Sequence, residues 1–536
     1  VAREIQNIEL HFIFANVIIS LHFIGILLQV QRLYPIEISF FSFYGRFWYI
    51  IVSQRTHLRK EERPTMKVTN LELSPETMHR MGEAVLEAII DHIKSLPDAP
   101  CSNLDEYPRV ADSLLDPPPE KGCDFETLLD FLMKRVIPAS ITHPHPSFMG
   151  YIPGGGLYPS AIADFIAAAT NRYVGVWFAA PACARLEHAV LNWFTQWMGY
   201  PDSTRGILTS GGSLANFSAV VTARKHLLSD DLCSGTMYMS NQTHHCVAKA
   251  AELAGIPGRN IRMLKVDKNF RAVPEEFEKA ITADLEKGLK PFLLVGNAGT
   301  TNTGAVDPLV ELSEVAKRYG LWYHIDAAYG GFFNLCEEGK KVLKGLENSD
   351  SVVLDPHKGL FVPYGTGSLL VNQGELLRRA HVMAADYIQD HPVPEGELDA
   401  ADHSPELSRS FRGLRVWLPL KFFGVQAFRE NLAEKLRLTQ WIYQRFLEEP
   451  GFECLSFPEL SAFAFRYHPE KGDVDRFNRQ LLKALVASKK LYLSSTRLSG
   501  EFAIRICILG FRTHKHEVKN AFEVIKDTAQ KLEAQI

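Results

Sequence analysis

Between about Phe148 and Leu354, short apolar runs alternate with stretches whose apolar residues recur every three or four positions. Gly206-Ile207-Leu208-Thr209, Met237-Tyr238-Met239-Ser240, Phe292-Leu293-Leu294-Val295-Gly296, Leu321 to Asp326 and Ser351 to Leu354 read as strands. Helical spacing follows over Leu214 to Leu228, near Val247 to Ala254, and over Leu309 to Tyr319. Strands in regular alternation with helices predict an α/β architecture, a mostly parallel sheet covered by helices. Ligands of such sheets sit beyond the carboxyl ends of the strands, so residues there are the first candidates for chemistry.

The flanking regions have a different pattern. Ser74-Pro75 supplies an N-cap and a first helical residue. Met78, Met81, Val85, Ala88, Ile89 and Ile93 then recur on one helical face until Pro97 closes the helix. The apolar face of such an arm needs a covering surface, and a second subunit is a natural one. Toward the C-terminus, Val416 to Glu449 reads as one long helical stretch, Ala462 to Tyr467 and Glu501 to Leu509 as strands, and a helix closes the chain from His516. The expected division is a leader over 1–65, an arm over 66–147, a large domain over 148–410 and a small α+β domain over 411–536.

The leader stands apart in composition, with no Met, Asp or Cys in its 65 residues. Leu10 to Val30 is mostly apolar and long enough for a membrane-spanning helix, with Arg32, Arg46, Arg55, Arg59 and Lys60 after it. It lacks the basic start and cleavage site of a signal peptide. The other reading is that Met66 is the start and the leader is non-native upstream sequence. Over the whole chain of 536 residues, 46% apolar and 22% charged residues are ordinary globular values. A net charge of −4 offers no basic excess for nucleic acid. The eight cysteines (101, 123, 183, 233, 246, 336, 454 and 507) form no CxxC pair. That argues against a zinc site and a disulfide framework, and for a reducing compartment such as the cytoplasm.

Candidate chemistry centres on Asp355-Pro356-His357-Lys358-Gly359, one strand-to-strand interval after Ile325-Asp326-Ala327-Ala328-Tyr329. A lysine that forms a Schiff base and a carboxylate for a pyridinium nitrogen are what pyridoxal phosphate (PLP) chemistry requires of a protein. A free lysine has a pKa of about 10.4 and is a poor nucleophile at neutral pH; covalent attachment to an aldehyde removes that handicap. Asp326, at a strand end, could equally be a helix N-cap. Ser210-Gly211-Gly212-Ser213 precedes a helix and can offer backbone N–H groups to an anion. Gly299-Thr300-Thr301 is a second candidate phosphate contact, or simply a tight polar turn. His244 lies past a strand end, where an imidazole can stack on a cofactor ring. His244 and His245 have no third ligand nearby in sequence, so no metal is expected. Tyr387 sits in a polar, Pro-containing loop, Ala384 to Pro394, from which a hydroxyl could close over substrate and deliver a proton.

In this order, His145 to Phe148, Pro181-Ala182-Cys183 with Leu186-Glu187, the Ser-Gly-Gly-Ser loop, Asp326-Ala327-Ala328-Tyr329 and Pro356-His357-Lys358 resemble the group II PLP-dependent amino-acid decarboxylases. The aromatic-L-amino-acid and glutamate decarboxylases are familiar members of that fold-type I family. The resemblance runs from about Leu71 to the C-terminus. It implies PLP as cofactor, a seven-stranded-type sheet, and a homodimer clasped by the N-terminal arm. It implies Lys358 as the Schiff-base lysine, Asp326 as the pyridinium partner, and His244 and Ala328 on opposite faces of the ring. Gly212, Ser213 and Thr300 match phosphate-binding positions, and His357 the histidine that contacts cofactor and closing loop. Tyr387 matches the tyrosine that protonates the α-carbon after CO2 leaves. Tyr151, Ile152 and Pro153 with Gly154, and Tyr173 to Trp177, match substrate-pocket segments.

Several residues depart from the family pattern. Asp355 stands where familiar members carry Asn, so that a phosphate contact there would meet a like charge. Gly359 replaces Trp, Gly154 a polar residue, Gly175 an aromatic, and Pro144 an aromatic. The expected activity is decarboxylation of an L-amino acid to its amine, with aromatic substrates favoured. The alternatives are an acidic or sulfinic substrate, an aldehyde synthase, and, in another class, an inactive PLP-fold binding protein.

Overall fold

The structure is a computed structural model that describes residues 36–41, 49–54, 70–383 and 393–535. The chain divides into two compact units, Val1–Met78 and His79–Ile536. In the first, β1 (Ile36–Phe41) and β2 (Tyr49–Gln54) pair antiparallel, Ile36 opposite Gln54. Ile36, Ile38 and Phe40 alternate with Glu37 and Ser39, a two-residue period that fits a strand. The Leu10 to Val30 run lies outside the described residues. Among those described, no helix is long and apolar enough to cross a membrane.

The helix Pro75–Ser95 starts where expected, with Ser74 Oγ accepting from Thr77 N at 3.2 Å. None of its residues is buried, and Met78, Leu86 and Ile90 are exposed.

In the second unit a seven-stranded sheet is built from β3 (Arg205–Thr209), β4 (Gly235–Ser240), β5 (Ile261–Leu264), β6 (Lys290–Asn297), β7 (Trp322–Asp326), β8 (Ser351–Leu354) and β9 (Gly367–Val371). Their order is β3-β9-β8-β7-β6-β4-β5. Only β9 runs against its neighbours, pairing antiparallel with both β3 and β8. The central strands are apolar throughout because both faces are covered. Met237, Met239, Leu293, Val295, Trp322 and Val353 face one apolar layer. Tyr238, Leu294, Tyr323, Ile325, Val352 and Leu354 face the other. Successive side chains point to opposite sides of a strand, so two helical layers receive alternate residues.

The C-terminal region forms a four-stranded antiparallel sheet in the order β10 (Phe452–Cys454), β11 (Ala462–Tyr467), β13 (Glu501–Cys507), β12 (Ser494–Leu498). Helices Val425–Glu448, Val474–Ala487 and Lys515–Glu533 pack on it through Phe446, Leu481 and Phe522. Phe446 stacks on Phe465 with ring centres 4.4 Å apart. The Val416 to Glu449 stretch is two helices, Gly413–Phe423 and Val425–Glu448. They part at Gly424, whose φ of +75° is open to glycine and costly for other residues.

Candidate active site

Five strand ends converge on one cavity of about 290 Å³. β3 runs into Ser210-Gly211-Gly212-Ser213, β4 into the turn before His244, β6 into Gly299-Thr300-Thr301, β7 into Asp326 and Ala328, and β8 into Asp355-His357-Lys358. Lys358, Asp326, His244, His357, Ala328, Gly212, Ser213 and Thr300 therefore line a single space.

Lys358 sits in the one-turn helix Pro356–Gly359, begun by a proline at its first position. Its Nζ lies 2.7 Å from Oδ2 of Asp355, whose side chain is 2% exposed. Burial pulls the Lys358 ammonium down, but Asp355 and Asp326 more than offset it, and the net pKa is raised. His357 donates from Nδ1 to the Thr366 carbonyl at 2.6 Å, which leaves Nε2 with the lone pair in the neutral ring. Burial holds this imidazole below its ordinary pKa.

Asp326 is fixed by two donors. Its Oδ1 accepts from Ala328 N at 3.1 Å and its Oδ2 from Asn216 Nδ2 at 3.3 Å. The orientation of Asn216 follows from a chain of hydrogen bonds behind it. Trp322 Nε1 can only donate, and it donates to Ser351 Oγ at 2.7 Å. Ser351 Oγ then gives its hydrogen to His324 Nδ1 at 2.8 Å, and His324 Nε2 donates to Asn216 Oδ1 at 2.8 Å. Burial keeps His324 neutral, its pKa pushed down to about 4, so its one ring hydrogen is committed to Asn216.

His244 caps helix His245–Leu253, its Nδ1 accepting from Cys246 N at 3.3 Å, so that its neutral ring carries hydrogen on Nε2. Burial lowers its pKa as well. Gly212 and Ser213 open helix Gly212–Leu227, whose first N–H groups have no carbonyl within the helix. A side chain at Gly212 would stand 3.0 Å from Asp355 Oδ2 and 3.3 Å from Ala328 Cβ, so the cradle is tight there. Thr300 is held between Thr303 Oγ1, 2.8 Å from its own Oγ1, and the Ala305 carbonyl, 2.8 Å from its N. Among the described residues no group of three or more His, Cys, Asp or Glu is placed to hold a metal ion.

The donor set matches PLP: N–H groups at a helix N-terminus for a phosphate, a fixed buried carboxylate for a ring nitrogen, and a half-buried lysine for an aldehyde. Of the side chains lining this cavity, Asp355 has one buried oxygen, Oδ1, with no hydrogen-bond partner among the described residues.

The expected substrate-pocket residues do not line this cavity. Tyr151 is exposed, with its carbonyl accepting from Arg505 Nη1 at 2.7 Å, while Ile152 and Pro153 are buried. Tyr173 is exposed, its hydroxyl 3.3 Å from the Leu407 carbonyl. The segment is nonetheless tied to the site, because Gly155 N donates to the His357 carbonyl at 3.1 Å. Tyr387 lies outside the described residues.

Three unusual glycines have steric reasons. A Cβ at Gly359 would stand 2.7 Å from Phe332 Cβ, one at Gly175 2.0 Å from the Leu407 carbonyl, and one at Gly154 2.5 Å from the Tyr364 ring. Phe332, Leu407 and Tyr364 thus occupy space that larger residues would take. Asn216, Cys246, Asn297 and Tyr364 were not singled out from sequence. A lone Asn beside Ala215 and Ala219, on a helix face that turns out to be buried, was the available signal for the first.

Residues 113–468 match the pyridoxal-dependent decarboxylase conserved domain. The chain is 34% identical over 469 residues to the aromatic-L-amino-acid decarboxylase of Bacillus atrophaeus, an alignment covering 86% of this chain and 98% of that protein. It is 28% identical over 480 residues to the phenylacetaldehyde synthase of Arabidopsis thaliana, covering 86% and 97%. The crystal structure of Oryza sativa TDC with PLP and tryptamine superposes with a TM-score of 0.83 at 27% identity, over 87% of this chain and all of that one. With the lysine, carboxylate and anion cradle gathered at the strand ends of a fold-type I sheet, the chain belongs to the pyridoxal-dependent decarboxylase family and is a PLP-dependent amino-acid decarboxylase.

Proposed function

We propose that this enzyme decarboxylates aromatic L-amino acids to their amines, with Lys358, Asp326, His244, His357 and Tyr387 as its working residues. The observation that carries the reading is a half-buried ammonium, Lys358, and a buried, doubly hydrogen-bonded carboxylate, Asp326, on the walls of one cavity. The aromatic preference is supported by the 34% identity to an aromatic-L-amino-acid decarboxylase.

Bound PLP supplies an aldehyde carbon that amines capture and a ring that accepts electrons. Gly212, Ser213 and Thr300 hold its phosphate, the first two by N–H groups at a helix N-terminus. Asp326, fixed by Ala328 and Asn216, keeps a proton on the ring nitrogen. The His244 imidazole and the Ala328 methyl group cover the ring. Lys358 would supply the amine that holds the cofactor aldehyde. His357 Nε2 has a lone pair beside the lysine segment and can take or return a proton there. Tyr387 donates its phenolic proton to the substrate α-carbon once CO2 has left.

The apolar face of helix Pro75–Ser95 supports assembly as a homodimer, in which a partner covers Met78, Leu86 and Ile90. The eight free cysteines support a cytoplasmic site. Residues 66–147 then serve as the dimer arm, 148–410 as the PLP domain and 411–536 as the small domain. The test is product analysis with tyrosine, tryptophan, phenylalanine, glutamate and cysteine sulfinate. Amine and CO2 from the aromatic acids are expected. Acidic or sulfinic turnover alone would reassign the substrate. Aldehyde, ammonia and peroxide would make the enzyme an aldehyde synthase. PLP capture without any CO2 would make it a binding protein.

A further inference from the structure

Asp355 occupies an electrostatically awkward position. Its side chain is 2% exposed, Oδ2 is 2.7 Å from Lys358 Nζ, and Oδ1 has no partner among the described residues. Both oxygens press on the phosphate cradle: a Cβ on Gly212 would stand 3.0 Å from Oδ2 and 3.3 Å from Oδ1. Gly212 is the first residue of the helix whose free N–H groups point at an anion. A phosphate held there has a buried carboxylate for a neighbour.

The surrounding groups offer little relief. On its own segment Asp355 has Lys358 and His357, the latter with Nε2 at 3.7 Å. Across the cavity stand Asp326 at the end of β7, and His244 and Cys246 at the start of helix His245–Leu253. Burial pushes the Cys246 thiol up to about 12 and lowers both histidines, so these three are neutral at pH 8. Lys358 is then the sole cation of this set, and Asp326 is a second anion. When Nζ is joined to the cofactor it no longer serves Asp355 alone. Two like charges that share a low-dielectric site cannot both stay ionised cheaply, and one takes a proton.

We propose that Asp355 takes up one proton from solvent as PLP binds, and that its carboxyl O–H then donates to the cofactor phosphate. No bond but this O–H is made in that step, and no electron moves. The inference rests on the reading of Lys358 and the Ser-Gly-Gly-Ser loop as the cofactor site. It makes PLP capture proton-linked at a residue whose carboxyl borders the phosphate rather than the reacting carbon.

The experiment compares the full chain with D355N, both freed of cofactor, by titration with PLP between pH 6.5 and 8.5. Wild-type affinity is expected to fall with pH more steeply than that of D355N, by up to about tenfold per unit, the limit for a single linked proton. Calorimetry in buffers of different ionisation enthalpy is expected to count about one more proton taken up by wild type than by D355N. A second measurement needs no variant. The infrared difference spectrum of wild type on PLP binding gains a protonated-carboxyl band that pyridoxal, which lacks the phosphate, does not produce. Equal pH slopes and equal proton counts would overturn the inference, and so would an infrared spectrum without that band. If PLP forms no borohydride-fixable link at Lys358, the cofactor reading falls and this inference with it; a normal link with no excess proton overturns the inference alone.

Discussion

Asn216 is the hinge pin of Asp326: its Nδ2 donates to Oδ2 of the carboxylate at 3.3 Å, and its Oδ1 is held in place by His324 at 2.8 Å. Because Trp322 Nε1 and Ser351 Oγ fix the proton direction behind His324, the amide has one satisfied orientation. The carboxylate thus meets a donor on each oxygen.

Asn216→Leu removes a donor from a buried carboxylate and an acceptor from His324. Stability is expected to fall by about 1–3 kcal/mol for the groups left unpaired. PLP affinity is expected to fall with it, while Asn216→Gln at the same position retains part of both. Urea unfolding and PLP fluorescence titration check the two halves separately; unchanged cofactor affinity in the Leu variant would remove Asn216 from the site.

His324 gives the pH dependence a sign. Its folded pKa, pushed down to about 4, lies below the ordinary value of about 6.5. The unfolded chain therefore binds more protons between those values, and stability falls as pH drops from 6.5 to 4. The loss from this residue is on the order of 3 kcal/mol across the window. Comparing His324→Asn with wild type at pH 7 and pH 5 isolates it, and the gap between the two is expected to shrink toward pH 5.

Lys358→Ala is expected to leave no borohydride-fixable cofactor and to lower turnover by at least about a hundredfold, the smaller end of what a positioned proton-transfer group alone contributes. Lys358→Arg keeps the charge beside Asp355 but cannot form the covalent link. The two variants should differ in stability and agree in inactivity. Absorption spectra and CO2 release measure both.

Gly154 and Gly359 are crowded in different ways. At Gly359 the obstruction is the Cβ of fully buried Phe332, which has nowhere to go. Gly359→Ala is expected to cost about 1–3 kcal/mol, the usual price of overpacking. At Gly154 the obstruction is the far end of Tyr364, a ring 52% exposed that can turn toward solvent by giving up the hydrogen bond its hydroxyl accepts from Gly154 N. Gly154→Ala is expected to leave stability nearly intact and to change KM across a panel of aromatic substrates. Thermal unfolding and steady-state kinetics on both variants decide it.

Tyr387→Phe deletes the proposed proton donor to the α-carbon. Amine formation is expected to drop by about 10²-fold or more, with aldehyde appearing among the products. Chromatography of the product mixture from tyrosine checks it; undiminished amine yield would move the donor role to another residue.

The sequence made the site legible at strand ends and obscure inside helices. Asp326 ends the mostly apolar run from Trp322 and Lys358 lies just past the run Val352 to Leu354, so their place at a carboxyl edge could be read directly, and Leu309–Tyr319 and Ser351–Leu354 have the bounds their periodicity implied. β9 escaped notice because Gly367 and Ser368 dilute its apolar run. β5 is only four residues and half-buried, which blurs any alternation. Asn216 was hidden because its significance depends on His324 and Asp326, more than a hundred positions away. The missing side chains at 154, 175 and 359 were visible, but the residues that fill their space were not, since only the fold brings Tyr364, Leu407 and Phe332 against them.

The reversal of β9 bears on how firmly the lysine is held. Leu354 and Ser368 are register partners, so the segment that bears Lys358 leaves and re-enters the sheet at one point. His357 N, bonded to the Thr366 carbonyl at 3.4 Å, ties the excursion to itself. A tether closed in this way between two strands inside a seven-stranded sheet cannot drift relative to Asp326 unless the ladder itself parts. Deuterium uptake by the amides of residues 352–354 and 368–370 should then track global unfolding rather than local breathing.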